Sequence, residues 1–338
     1  MSDSELPLAA LQASFGVGEW RHVEALPAGK SQHYILTTTT GRFVLRRSYR
    51  SKTADGVRFE HELVDHLRAN GFPAPEFVPT VGGEPCALID GRLWRMARFV
   101  AGRPASVDVP GQVETVAETL ARYHQLVDGF TAGVPTPEAP FVPVALRERL
   151  DAVHAEDRGR PVLPDDLAGR LPAALAEAEL VCSRLEDLYA TLPITIIHAG
   201  CRRSSVLFGE DGLAAVLDFD SAHHEARALD LAVAVHDFGK IYGDPGSPDY
   251  KVHLDPAVTA RFARAYQGVS PLAPGELEAI PLLLTAKRLK RALGRYARLL
   301  AGEALSENDR RKIVLELARV QSLRRGEALI PVMGGTGG

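Results

Sequence analysis

Cysteine and long apolar runs are scarce in this sequence of 338 residues. Its three cysteines, Cys86, Cys182 and Cys201, lack the spacing of a disulfide framework or of a structural zinc site. No run is long and apolar enough to span a membrane. The acidic first residues also lack the charged-then-apolar pattern of a secretory signal. We therefore expect a cytoplasmic protein that has no membrane partner.

An excess of charge of one sign is also missing, since 39 Lys and Arg stand against 43 Asp and Glu, a net charge of −4. Such a chain has no overall attraction to nucleic acid, and we expect no nucleic acid partner. Hydrophobic residues make up 46% and charged residues 24%, which is typical of a globular protein. The length allows two lobes or domains with a sizeable core.

Two short apolar runs in the second half of the chain each end in a residue that can do chemistry. Ile194–Ile197 is followed by His198, and Ala214–Leu217 is followed by Asp218. A glycine-containing turn precedes the second run and separates it from another apolar stretch, Ser205–Phe208. This pattern predicts a small hairpin whose exits form a cleft.

This stretch resembles the catalytic segment of the aminoglycoside phosphotransferase and type II homoserine kinase family, small-molecule kinases with a protein-kinase-like fold. The family pattern is HGDxxxxN, then a hairpin, then DF followed by an acid or Gly, then DLA. His198, Asp218-Phe219 and Asp230-Leu231-Ala232 match this pattern. Two positions depart from it, because Gly200 stands in the place of the catalytic Asp and Ser205 in the place of a metal-binding Asn. The motif's Gly is also replaced, by an alanine at position 199.

The resemblance implies an α+β fold of the bilobal protein-kinase type. It would have an N-terminal antiparallel sheet lobe with one helix and a larger, mainly helical C-terminal lobe. We expect the first lobe, of the nucleotide-binding type, over residues 1–100. The second lobe is expected over 101–330, with its catalytic-type segment at 194–232. A flexible tail is expected over 331–338, because that ending is rich in glycine.

The resemblance also implies ATP and magnesium as cofactors. In the family the first turn covers the phosphates, and Gly29 lies in that turn here. Arg46 stands where a strand cation contacts the phosphates, and Glu60, on a helix predicted over 53–70, would pair with it. The backbone near Met96 would face the adenine ring. An ordinary strand-face arginine and a surface glutamate are the alternatives for positions 46 and 60.

In the family mechanism, an Asp is the base that accepts the proton of the substrate's hydroxyl group, and magnesium is held against the phosphates. Asp218 would bind magnesium, with the Ser205 hydroxyl as a weak second ligand. Gly200 supplies no side chain, and losing a positioned acid or base costs about 10²- to 10⁴-fold in rate. We therefore expect no ordinary phosphoryl transfer unless another residue takes over.

Four nearby residues are candidates for catalytic roles beside Asp218: His198, Asp220, His223 and His224. A histidine can act as a base near neutral pH. The alternatives are structural. In the family the motif's histidine orients the loop, and the run at 223–225 would be a polar surface turn.

Two further features allow either a site or a structural role. Cys201 lies beside Arg202 and Arg203, where a thiol of lowered pKa could act as a nucleophile. The favoured alternative is a small buried hydrophobe. The helix predicted near 285–300 is rich in Lys and Arg, and its default interpretation is a solvated face. The alternative is a site for a substrate phosphate or carboxylate.

Three functions follow from these patterns, and whether the chain is an enzyme stays open. The first is a kinase-fold protein that lacks the usual Asp and Asn. It would be repurposed as a biosynthetic enzyme on a small molecule or peptide, or would act as a pseudokinase. The second is an active ATP-dependent kinase of small-molecule hydroxyls with a displaced base. The third is a non-catalytic module that binds a partner protein. In an enzyme, a small-molecule or peptide substrate would lie in the inter-lobe cleft.

Overall fold

The computed structural model describes residues 6–27, 31–138, 141–156, 163–242 and 252–325. Its helices are α1 Leu8–Ser14, α2 Ala54–Ala69, α3 Gln112–Leu126, α4 Val142–Glu156, α5 Asp165–Ala168, α6 Leu171–Tyr189, α7 Arg227–Gly239, α8 Pro256–Val269, α9 Pro274–Leu300 and α10 Glu307–Arg325. Its strands are β1 Trp20–Ala25, β2 Gln32–Thr38, β3 Gly41–Arg47, β4 Phe77–Val78, β5 Ala87–Ile89, β6 Arg92–Arg98, β7 Arg103–Pro104, β8 Ile194–Ile197, β9 Val206–Gly209, β10 Gly212–Val216, β11 His223–Ala226, β12 Lys240–Tyr242 and β13 Val252–Leu254.

The chain divides into two compact units that each combine distant segments. The first unit joins Met1–Ala105, Leu126–Pro137 and Ser204–Ala222. The second unit joins Ser106–Gln125, Glu138–Arg203 and His223–Gly338. The catalytic-type segment is therefore divided, because the predicted hairpin and Asp218 belong to the first unit and His198 to the second.

An antiparallel sheet in the order β1-β2-β3-β6-β4 forms most of the first unit, and β5 also pairs with β6. Its buried side chains make one core with α1: Leu11, Phe15, Val17, Leu36, Phe43, Leu45, Trp94 and Met96. A smaller sheet in the order β10-β9-β7 contains the predicted hairpin. Register in this hairpin pairs Gly212 with Gly209.

Helix α2 follows the signals that the sequence carries for it. The Thr53 side chain caps its first turn by accepting a hydrogen bond from the Gly56 amide. Its apolar stripe, Phe59, Leu63 and Leu67, is buried. The chain then leaves the helix through residue 71, a glycine with φ of 70°, which is the left-handed region that glycine adopts without strain.

The second unit is mainly helical, and α9 packs against α4, α6, α7 and α10. Helix α7 is almost entirely buried, and β8 pairs with β11. Together with the antiparallel sheet of the first unit, this confirms the predicted α+β class. No helix among the described residues is long and apolar enough to cross a bilayer.

One local prediction was wrong. The run at 223–225 is not a surface turn but part of β11. It is held as a strand because β8 offers it a complete antiparallel partner, with His223 opposite Ile197 and Glu225 opposite Thr195.

Candidate active site

Arg46 on β3 is the cation around which the polar part of the first unit is arranged. Its guanidinium forms an ion pair with the Asp220 carboxylate and lies 3.7 Å from the Asp218 carboxylate. It also donates to the Ser31 hydroxyl at 3.2 Å. The Arg46 side chain is 15% exposed, so these contacts are shielded from water and are stronger than surface ion pairs. Arg46 is therefore a largely buried, ion-paired strand residue, and its contact with phosphates stays a prediction.

Glu60 is buried, but its partner is not the predicted one. Its carboxylate pairs with Arg95 on β6 and lies 3.4 Å from the Lys52 ammonium. Arg95 stands directly opposite Arg46 in the β3–β6 register, so α2 presents Glu60 to one arginine of a cross-strand pair and leaves the other for Asp220. The predicted Glu60–Arg46 pair was wrong for this reason.

The buried cluster of Glu60, Arg95 and Lys52 also reaches the loop after Asp218. Burial by itself raises the pKa of Glu60, but Arg95 and Lys52 outweigh it and hold that pKa below its usual value. Lys52 donates to the Asp220 carbonyl oxygen at 2.9 Å and so ties the loop to the cluster. Sequence reasoning missed Arg95 and Lys52; the one signal, for Arg95, was its place between the apolar residues Trp94 and Met96 in β6.

Asp218 has an unusual backbone. Its φ of 65° and ψ of 51° lie in the left-handed region, which a non-glycine residue adopts at a cost. The Phe219 ring is buried and packs edge-on to Phe72, and the Leu217 amide donates to the Ser205 carbonyl oxygen at 2.7 Å. These contacts on both sides hold Asp218 in place. Its own side chain is 57% exposed, so the carboxylate points away from the core.

The predicted nucleotide-binding residues that the structure describes line one cavity of about 270 Å³ in the first unit. Arg46, Glu60, Met96 and Asp218 all border it. Most of the remaining wall is apolar and comes from the sheet and the hairpin: Leu26, Ile35, Val44, Phe77, Leu207 and Leu217. A mostly apolar cavity with a few convergent charges is typical of a ligand site. Gly29 lies outside the described residues.

In the second unit, Asp230 organises the loop after β8. Its buried carboxylate accepts hydrogen bonds from the amides of His198 at 2.6 Å and Ala199 at 2.8 Å. Burial alone raises the pKa of Asp230, but its hydrogen bond with His124 and the amide of His198 hold the pKa below its usual value. His124 also meets the Tyr266 hydroxyl at 2.7 Å. His124 therefore has a structural role in this buried network.

The His198 side chain is itself part of this loop's support. It is 1% exposed, and its Nδ1 accepts a hydrogen bond from the Gly200 amide at 3.2 Å. Ala199 between them has a φ of 62°, in the left-handed region. The loop therefore holds position 200 through the backbone, with a buried imidazole behind it.

Position 200 has room for a side chain. A Cβ built on Gly200 would meet only the His198 ring, at 3.7 and 3.9 Å, which is ordinary van der Waals contact. Crowding therefore does not explain the glycine. The next residue, Cys201, is buried, and burial raises the pKa of its thiol far above the usual value. A nucleophilic role needs a thiolate, so the buried-hydrophobe interpretation fits Cys201.

The other residues predicted to replace the base lie in different units. His223 is partly exposed and His224 is exposed, both on β11 in the second unit. The next residue, Glu225, is buried and accepts hydrogen bonds from the Val142 amide and the Tyr189 hydroxyl. Asp220 lies in the first unit and is occupied by Arg46. No three His, Cys, Asp or Glu side chains form a metal cluster in the described part of the chain.

The sequence profile of the phosphotransferase enzyme family matches residues 22–282. The chain belongs to this family. Its relatives include homoserine kinases of Methylobacillus flagellatus, 26% identical over 83% of this chain and 81% of that protein, and of Methylobacterium radiotolerans, 28% identical over 86% and 85%. The predicted family is thereby confirmed.

Several solved structures share the fold. An aminoglycoside phosphotransferase from Alicyclobacillus acidocaldarius superposes with a TM-score of 0.67 at 17% identity, covering 99% of this chain and 97% of that one. The amicoumacin kinase hAmiN, solved with AMP-PNP, Ca²⁺ and Ami, gives a TM-score of 0.70 at 14% identity and covers 98% and 96%. These likenesses confirm the predicted protein-kinase-like fold.

Proposed function

We propose that this member of the phosphotransferase enzyme family binds ATP with magnesium in the cavity of its first unit and has lost ordinary phosphoryl transfer. The protein then serves as a repurposed biosynthetic enzyme or a pseudokinase. One observation carries the proposal: the loop that should present a base has only Gly200 at that position, while the charges of the nucleotide side are in place.

The cavity has an apolar wall and a polar end, and both support nucleotide binding. The apolar side chains around Met96 suit a flat ring. At the polar end, the Arg46 cation suits phosphate oxygens, which attract guanidinium groups strongly. Glu60 pairs with the cross-strand partner Arg95, and Asp220 pairs with Arg46, so a phosphate at Arg46 would take the place of the Asp220 carboxylate.

The carboxylate of Asp218 supports magnesium binding. Magnesium prefers hard oxygen ligands and usually takes one or two carboxylates together with phosphates and water. Asp218 offers an exposed carboxylate beside the cavity, and Asp220 follows two residues later. Ser205 is buried whereas the Asp218 side chain is 57% exposed, so we assign the metal to Asp218. When bound, magnesium would neutralise phosphate charge.

The missing base sets the expected rate. Kinases of this kind turn over roughly 1–100 times per second. Loss of a positioned base costs about 10²- to 10⁴-fold, which leaves at most about one turnover per second and at least about one in several hours. Because His198 is buried and hydrogen-bonded to the Gly200 amide, its role is to position the loop.

The substrate class is proposed from the relatives. The relatives named above are homoserine kinases, and another solved neighbour is an aminopropanol kinase, so their substrates are small hydroxyl compounds that carry an amino group. We assign this chain a ligand of the same general class, a small molecule or a peptide.

A second candidate function is an active hydroxyl kinase with a displaced base. One observation favours it: the β8–β11 register places His223 opposite Ile197, the residue just before His198. An imidazole there would be close to the loop along the strand pair. In this case His223→Asn abolishes phosphoryl transfer and His224→Asn, at the exposed neighbour, does not.

Calorimetric titration with ATP, with and without magnesium, tests the main proposal. We expect magnesium-dependent binding by the wild type, and its loss in Asp218→Ala. The matched control is Asp211→Ala, at an exposed acid in the hairpin turn of the same unit, which should bind like the wild type. Absence of saturable ATP binding in the wild type would contradict the proposal, as would full turnover at an ordinary kinase rate.

A further inference from the structure

The helices of the second unit enclose a small, strongly basic cavity of about 90 Å³. Six of its lining residues are cationic: Arg202, Lys240, Lys287, Arg288, Arg291 and Arg319. We call this set the basic pocket. The one carboxylate in its lining is Asp237. Its volume is roughly three times the share of one liquid water, about 30 Å³, so it suits a small polar group.

The basic pocket is not a solvated helix face, which was the default interpretation of the basic residues on α9. Arg288 is 8% exposed. Glu316, behind the cavity, shares its carboxylate between Arg288 at 3.3 Å and Arg319 at 3.2 Å. Asp237 pairs with Lys240. Arg291 also lies 3.8 Å from Glu316, so Asp237 and Glu316 are the carboxylates found beside these cations among the described residues.

Lys287 is the clearest case of a cation in this pocket that has no partner among the described residues. Within the described ranges it makes no hydrogen bond and no ion pair. Burial and the neighbouring Arg291 lower the pKa of Lys287 to about 7, and burial likewise lowers the pKa of Arg288 to about 10. Keeping these side chains charged in the folded protein therefore costs free energy, and a bound anion would remove that cost.

The lining residues also have hydrogen-bond donors that no described atom accepts. Three buried nitrogens on lining residues have no partner among the described atoms: Nε of Arg288, Nε of Arg319 and Nε2 of His236. Arg288 donates to Nδ1 of His236 at 3.1 Å, so the proton of this neutral imidazole is on Nε2. All three nitrogens are therefore donors. Buried donors are normally satisfied, so these residues keep unused donors next to the basic pocket.

The basic pocket also begins at the loop that carries the family motif. Arg202 lies two residues after Gly200 and lines the cavity together with α7, α9 and α10. We propose that the basic pocket binds a carboxylate or phosphate group of the small molecule on which the protein acts. The identification of that molecule as the substrate rests on the proposed function, whereas anion binding itself does not.

Calorimetric titration of the full chain with inorganic phosphate and with acetate tests this proposal, without nucleotide. The titrations are run at constant ionic strength, since salt screens such sites. They are also run below the pKa of Lys287, where that side chain is charged. The variants are Lys287→Gln and Arg291→Gln. The matched control is Arg298→Gln, at an exposed arginine on the same helix outside the cavity.

We expect saturable binding of at least one anion to the wild type. Loss of one charge-assisted hydrogen bond weakens binding by about ten- to a hundredfold, so both pocket variants should bind that much more weakly and Arg298→Gln like the wild type. Binding of phosphate but not acetate identifies a phosphate group; binding of acetate identifies a carboxylate.

No saturable binding of either anion by the wild type overturns the proposal. So does an equal loss in the control, or full binding by both folded pocket variants. Thermal melting of each variant checks folding, and Arg291, whose side chain is 37% exposed, remains the tested position if the lysine variant does not fold. ATP titration remains a separate measurement, so failure here leaves the nucleotide proposal standing, and the reverse also holds.

Discussion

Gly200→Asp returns a carboxylate to the position at which family kinases hold their base. The structure indicates that the loop accepts it. The new Cβ would touch only the His198 ring, at 3.7 Å, and residue 200 does not have the positive φ that disfavours a side chain. The Asp230 carboxylate would continue to hold the amides before it. We therefore expect a folded variant with unchanged ATP binding.

If the absent base is the main defect, Gly200→Asp raises phosphoryl transfer by about 10²- to 10⁴-fold. The assay measures ADP release with magnesium, ATP and a panel of small amino alcohols that includes homoserine. Gly200→Asn is the matched control, because it has nearly the same shape but cannot accept a proton. The reasoning is refuted if the Asp and Asn variants, both still binding ATP, have the same turnover as the wild type.

Three further predictions concern stability. Glu60→Gln leaves the buried Arg95 without its counter-charge and should cost about 3–5 kcal/mol in urea unfolding, whereas Asp65→Asn on the exposed face of α2 should cost little. Ala199→Gly relieves a left-handed alanine and should stabilise the protein by up to about 1 kcal/mol in the same assay; a clear loss would contradict the strain. The pKa of Lys287 is lowered from 10.5 to about 7 in the folded protein, so the folded state binds fewer protons between these values and is penalised most below pH 7. Wild-type stability relative to Lys287→Met should therefore rise between pH 7 and 10, by at most about 1.4 kcal/mol per pH unit, and a flat difference would refute it.

The buried charges explain how α2, β3 and β6 fit together. Two arginines directly opposite each other on neighbouring strands would repel in a low dielectric. Glu60 neutralises Arg95 from the helix, and Asp220 neutralises Arg46 from the loop. A ligand phosphate at Arg46 would compete with Asp220, so nucleotide binding and the position of this loop should be linked.

Local sequence was sufficient for two elements of the first unit. Helix α2 and the hairpin before Asp218 both depend on contacts between near neighbours. Arg46, Glu60, Met96 and Asp218 were found by their positions in a family pattern, and the structure places them around one cavity.

Long-range packing decided what the sequence alone left open. The Glu60 carboxylate could pair with either of two arginines. Only the register of β3 and β6 selects Arg95 as its partner. The local sequence around His223 and His224 predicts a turn, whereas their pairing with β8 places them in a strand. Basic residues on α9 have the pattern of a solvated face, and only the packing of α7 and α10 encloses them in a pocket. Sequence by itself determined the family, the fold class and the absence of a side chain at Gly200. The tertiary structure decided which charges are paired and which are buried, because burial and partners depend on residues far apart in the chain.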